Sequence, residues 1–258
     1  MLILSNNLFG TVHIIQTVVS IGLIVLLSFL VKKISFKKCC KYLLYVGIIS
    51  ETIKIFYYII RNENEYGGYL PKSDLPFHLC SIQIIFILLI NIISNEKIKR
   101  FILSFMLPSC LIGGIAAILI SVYTARNSWL IACQYYLYHV AIVAFAIKIY
   151  TTDEIKLTLK DYFNSLKFVV AIMFFAIYIN SMLFTPEMLG ENATMIEVNF
   201  MYVVSPPQKG LPYLNENHGW FVYICHYAFL VLFSITACYI KPIINAFKKK
   251  NKVEEVVN

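Results

Sequence analysis

The chain has 258 residues, of which 59% are hydrophobic and only 14% charged, and its mean hydropathy is +0.73. Soluble domains sit near about 45–50% apolar and about 25% charged, so a water-soluble globular fold is excluded. The net charge of +8 does not indicate nucleic acid, because the basic residues lie between apolar runs and form no patch interleaved with aromatics.

Taken in chain order, the apolar runs predict seven transmembrane helices over residues 10–31, 41–60, 77–95, 101–123, 129–150, 166–185 and 219–240. Each is close to the roughly 20 residues that cross a bilayer at about 1.5 Å rise. In hydrocarbon the backbone must satisfy itself, and no alternation of a barrel strand is visible, so the fold class is all-α: a polytopic membrane helical bundle. The first run lacks a basic leader and is too long for a signal peptide, and it reads as a retained span. Residues 1–247 form the predicted bundle. Residues 248–258 form a charged cytoplasmic tail that is expected to lack fixed structure.

The lysines and arginines set the predicted orientation. Seventeen of them, from Lys32 through Lys97 and Lys148 to Lys252, fall on one side of the seven-span arrangement. Arg61, Lys72, Arg126 and Lys209 fall on the other, and Lys54 lies inside a span. By the positive-inside rule the N-terminus is outside and the C-terminus cytoplasmic. The two long outer loops, 61–76 and 186–218, carry glycine, proline and aromatic residues that suggest an ordered cap.

Polar residues inside the spans are expensive and mark candidate sites. The second span carries Glu51 and Lys54, three apart and able to pair, on a stripe with Gly47 and Tyr58. The third opens with His78, Cys80 and Gln83, the fifth carries Gln134, Tyr138 and His139, the sixth Asn180 and the seventh His226. Most of these fall at mid-depth or in the outer half, whereas the cytoplasmic half reads as aliphatic and aromatic. This asymmetry predicts a polar cavity opening outward. Taken singly, each histidine is also explained as a packed core residue, and Glu51 with Lys54 as a structural ion pair. Pro108, Gly113 and Gly114 in the fourth span predict a kink and close packing. The seven cysteines are scattered apart from Cys39-Cys40, without zinc or CxxC spacing, so neither a metal nor another cofactor is expected.

Four stretches resemble the YwaF-like bacterial membrane proteins, grouped with the transmembrane protein 164 family. They are Leu75-Pro76-Phe77-His78-Leu79-Cys80, Tyr138-His139, Asn199-Phe200-Met201-Tyr202 and the Trp220-containing start of the last span. The eukaryotic branch is similar to phospholipid acyltransferases with an intramembrane cysteine and histidine. The resemblance implies Cys80 as nucleophile and His139 as base, with His226 as an alternative base. By helix rise His139 is about 10 Å deeper than Cys80, so the pairing needs tilt or a re-entrant start to the third span.

Three functions therefore stand open: a lipid acyltransferase or acyl hydrolase, a small-solute or proton-coupled transporter, and a non-catalytic membrane binding component. Membrane lipids are the expected partners, and the sequence is silent on oligomeric state. The Ile-, Lys-, Asn- and Tyr-rich usage suggests an AT-rich bacterial genome and hence the plasma membrane.

Overall fold

The structure is a computed structural model, and it describes residues 10–61, 70–120, 129–152, 154–184, 198–207, 213–214 and 219–257. Among them the regular elements are helices: α1 (Thr11–Lys32), α2 (Phe36–Arg61), α3 (Leu79–Ile92), α4 (Glu96–Ile120), α5 (Trp129–Thr151), α6 (Leu159–Leu183), α7 (Trp220–Cys238) and α8 (Ile240–Val257). Six of them, α1, α2, α4, α5, α6 and α7, are long and apolar enough to cross a membrane. The third expected span is shorter: α3 has 14 residues, roughly 21 Å against a hydrocarbon core of about 30 Å. A 3-10 turn, Lys72–Asp74, and a tight turn at Pro76-Phe77 lead into it.

Contacts between helix ends show that α1 to α7 run alternately up and down. Asn91 near the end of α3 donates to the Cys40 carbonyl near the start of α2 (3.4 Å). Tyr138 in the middle of α5 reaches the start of α3, and Tyr239 after α7 reaches the third turn of α4. The bundle thus has a Cys80 end and an Arg100 end. α4 and α5 form its centre, while α1, α2, α6 and α7 turn apolar side chains such as Val18, Phe29, Phe174 and Phe233 outward. In water such a surface would be a liability, and in lipid it is the required one.

Local chemistry explains the helix limits. Asn95 caps α4 by accepting from the Lys97 and Ile98 amides. Thr158 and Asp161 form a reciprocal capping box that starts α6 at Leu159, well before the expected 166. α2 begins at Phe36 rather than 41, because its lysines can carry the helix beyond the hydrocarbon. The expectation of an unstructured tail is corrected: α8 remains helical to Val257, in a run that carries the helix-forming lysines and glutamates of the tail.

The fourth span is kinked at the expected place. Pro108 has no N–H for the carbonyl four residues earlier. That carbonyl, on Ser104, accepts instead from the Tyr239 hydroxyl at 2.7 Å. A π turn over Ser109–Gly113 follows the proline. At Gly114 the helix lies so close to α5 that an added Cβ would meet the Val143 side chain at 2.5 Å. Across the middle of the bundle Phe86, Phe105 and Phe168 form an aromatic layer, with centroids 5.6, 5.2 and 4.5 Å apart.

The Arg100 end is not simply aliphatic and aromatic, which corrects the sequence reading. Arg100 Nε lies 2.7 Å from Asp161 Oδ1, and its Nη2 reaches Asp161 Oδ2 at 2.8 Å and the Lys156 carbonyl at 2.6 Å. Lys148, counted among the charges that set the orientation, is buried in the last turn of α5, its Nζ 3.5 Å from the Lys32 carbonyl. These groups escape the sequence reading because they sit near the helix ends, where charge reads as topogenic.

Candidate functional site

The second span delivers its polar stripe as expected. Glu51 and Lys54 pair at 2.7 Å. Lys54 also donates to the Asp74 carbonyl at 2.8 Å, tying α2 to the short turn Lys72–Asp74 that leads into α3. The Asp74 carboxyl accepts from Tyr58 and Ser73, and burial still holds it above the ordinary carboxylate range, only partly offset by the Lys54 charge. Asp74 was missed in the sequence, although it stands four residues before His78 in the same loop and faces the visible Lys54.

His78 is the N-cap of α3. Its ring packs edge-on against Phe200 at 5.0 Å and lies 5.8 Å from Tyr202. Cys80 follows in the first turn of α3 and is partly accessible. The Tyr138 hydroxyl donates to the Cys80 backbone carbonyl at 2.8 Å, so α5 is fastened at the cysteine. His139, the next residue on α5, donates from Nδ1 to the Tyr135 carbonyl at 2.7 Å. Its neutral ring therefore keeps Nε2 as the acceptor nitrogen. Tyr138 and His139 rings lie 5.9 Å apart. Among the described contacts none joins Cys80 to His139 directly, and Tyr138 lies between them.

The remaining candidates divide. Asn180 reaches the segment after α6, donating to the Phe200 carbonyl (3.1 Å) and accepting from the Phe200 amide (2.8 Å). Gln83 is buried between α3 and α4, where it donates to Ser109 Oγ at 3.0 Å and accepts from the Cys110 thiol at 3.4 Å. Gln134 donates to Ser50 and fastens α5 to α2. Gln83 and Gln134 thus act as packing contacts with satisfied amides. His226 is exposed on α7 and engages the Tyr213 carbonyl at 3.0 Å, apart from the Cys80 cluster.

The segment Asn199 to Ser205 closes over this cluster. Asn199 accepts from the Val204 amide at 3.2 Å and donates to the Ser205 carbonyl at 2.8 Å. Burial pushes the Tyr202 phenol up to about 12, although 39% of its surface stays accessible. Parts of the expected cap, residues 62–69, 185–197, 208–212 and 215–218, lie outside the described residues, as do Arg126 and Lys209.

A family model described as the TMEM164 family matches residues 8–239, which takes in α1 to α7 and the whole Cys80 cluster. No curated protein and no solved structure matches the chain.

Proposed function

This chain belongs to the TMEM164 family, and on that premise we propose that it is an acyl-transferring membrane enzyme with Cys80 as nucleophile and His139 as base. The observation that carries this reading is the setting of Cys80. The thiol sits in the first turn of α3, two residues after the His78 N-cap. It is partly accessible, and the hydroxyl of Tyr138, one residue before His139 on α5, donates to the Cys80 backbone carbonyl at 2.8 Å.

The chemistry balances in two steps. The Cys80 thiolate adds to the carbonyl carbon of a phospholipid ester, the ester C–O bond breaks, and the departing lysolipid oxygen takes a proton from the His139 imidazolium. A hydroxyl of an acceptor lysolipid then gives its proton to His139 and adds to the thioester, and the thiolate leaves. His139 Nε2 is the acceptor nitrogen this cycle needs, because Nδ1 is held by the Tyr135 carbonyl. The substrate ester is read as lying between thiol and imidazole, which are not in contact without it.

The proposal includes seven crossings, with α3 and its lead-in as the third, and a plasma membrane in which the Cys80 end faces outward. The seventeen-to-four lysine and arginine split supports that orientation. The transporter reading needs a polar path through the bundle, and the Phe86, Phe105 and Phe168 layer opposes one.

The test is acyl capture. Purified protein in detergent is incubated with a phospholipid bearing a fluorescent acyl chain, and label released by hydroxylamine is counted as thioester. Wild type and Cys110→Ser should carry it, and Cys80→Ser should not. His139→Ala should slow acylation by roughly 10²–10⁴-fold. Acyl transfer to added lysolipid that persists in Cys80→Ser would sink the reading.

A further inference from the structure

Two consecutive non-glycine residues in the closing segment, Met201 (φ 56) and Tyr202 (φ 54), adopt the left-handed conformation. For an L-residue this costs roughly 1–2 kcal/mol each, and neither side chain offers the local hydrogen bond that lets Asn or Asp tolerate it. Such strain persists only where the surroundings over-determine it.

Here they do. Four successive backbone carbonyls are each captured by a different side chain. Phe200 accepts from Asn180 at 3.1 Å, Met201 from the Tyr227 hydroxyl at 2.8 Å, Tyr202 from the Tyr223 hydroxyl, and Val203 from the Trp220 indole at 2.9 Å. Donors on α6 and α7 thus fix the backbone from two sides, and Asn199 closes the turn from within.

This arrangement sets the Tyr202 side chain beside the start of α3, its ring 5.8 Å from that of His78, two residues before Cys80. The tyrosines around it are used up: Tyr138, Tyr223 and Tyr227 each donate to a backbone carbonyl. The Tyr202 hydroxyl has no hydrogen-bond partner among the described residues. A strained turn, held by four side chains, therefore brings one O–H donor beside the helix start that carries the proposed nucleophile.

We infer that Tyr202 is the oxyanion donor of the Cys80 site, and that the left-handed Met201–Tyr202 turn serves to hold it there. This rests on the acyl-transfer reading and extends it. When the thiolate adds to the ester carbonyl, the C=O π pair moves onto oxygen. The Tyr202 O–H donates a hydrogen bond to that oxygen and keeps its own proton. Collapse restores the carbonyl and expels the lysolipid oxygen, which is protonated by His139.

The experiment compares two reactions of Cys80 in full-length protein. Acylation by the fluorescent phospholipid passes through an oxyanion. Alkylation by iodoacetamide displaces iodide at a saturated carbon and forms none. Tyr202→Phe keeps the ring and removes only the donor. Its single-turnover acylation should fall by roughly 10²–10³-fold, with lipid concentration dependence, alkylation rate and melting temperature unchanged. Fluorotyrosine at 202, a stronger donor that preserves shape, should acylate at least as fast as wild type. Equal acylation rates in wild type and Tyr202→Phe overturn the inference alone, as does an equal loss of both reactions. Wild type that alkylates but never acylates overturns the acyl-transfer reading and this inference with it.

Discussion

At the Arg100 end of the bundle the charged groups terminate on one another, although the buried Ser165 hydroxyl, one turn beyond Asp161, has no hydrogen-bond partner among the described residues. Arg100 meets both oxygens of Asp161, Thr158 closes on the same carboxylate at 2.7 Å, and Tyr239 occupies the carbonyl that Pro108 leaves free. At the Cys80 end, Lys54 is shared between Glu51 and the Asp74 carbonyl, two residues sit in a left-handed turn, and the Tyr202 hydroxyl has no hydrogen-bond partner among the described residues. Both ends are polar and both lie against apolar helices. Polarity within a membrane bundle is therefore a poor guide to function by itself. What separates the two ends is the left-handed turn beside the helix start that carries a thiol, against ion pairs and capping bonds that join helices.

The largest expected effect probes the strained side. Asn180→Ala strands the buried Phe200 amide and carbonyl, at roughly 1–3 kcal/mol for each group. Chemical unfolding in mixed micelles should show a loss of about 2–4 kcal/mol. Acylation of Cys80 in the surviving folded fraction should fall as well, because Tyr202 is no longer held. Asp161→Ala gives the matching cut at the other end. Breaking a buried pair costs about 3–5 kcal/mol, and the half-exposed Arg100 side chain (45% against 2% for Asp161) reduces this to about 2–3. Its acylation per folded molecule should be unchanged. Equal loss of acylation in the two variants would break the comparison, since the ends would then be coupled through the aromatic layer.

A smaller effect isolates one hydrogen bond. Tyr239→Phe leaves the Ser104 carbonyl without the donor that replaces the missing Pro108 amide, and the unfolding free energy should drop by about 1 kcal/mol with acylation intact. A Tyr239→Phe variant as stable as wild type would show that the kink satisfies itself through the π turn.

Much of this was legible in the sequence, for reasons that differ by residue. Apolar runs give helices in lipid almost by necessity, so the bundle and its alternation follow directly. The Glu51–Lys54 pair follows from i,i+3 spacing, and the Pro108 kink from proline chemistry. The 14-residue α3 was not legible, because the apolar residues Leu75 to Phe77 that precede it are taken up in a tight turn. The left-handed turn was invisible for a sharper reason: Met-Tyr has no preference for that conformation, which is imposed by side chains about 20 residues away on either side. The failure to join Cys80 and His139 has the same origin, since i,i+4 rules say nothing about which helix faces which.

The least effect is expected at Asp74, and its sign is informative. Burial holds this carboxyl above the ordinary range against the pull of Lys54, Tyr58 and Ser73. The folded protein therefore binds this proton more tightly than the unfolded chain does. Its contribution favours folding below the ordinary carboxylate range and is lost as pH rises through the elevated value. Asp74→Asn removes that titration. Stability should rise slightly at pH 7, stay level near pH 4, and lose part of its dependence on pH between the two. Melting curves of wild type and variant at the two pH values provide the check. Should Asp74→Asn be less stable at pH 7, the Lys54 attraction outweighs burial. The Cys80 end would then be as well paired electrostatically as the Arg100 end, leaving the strained turn as the distinction between them.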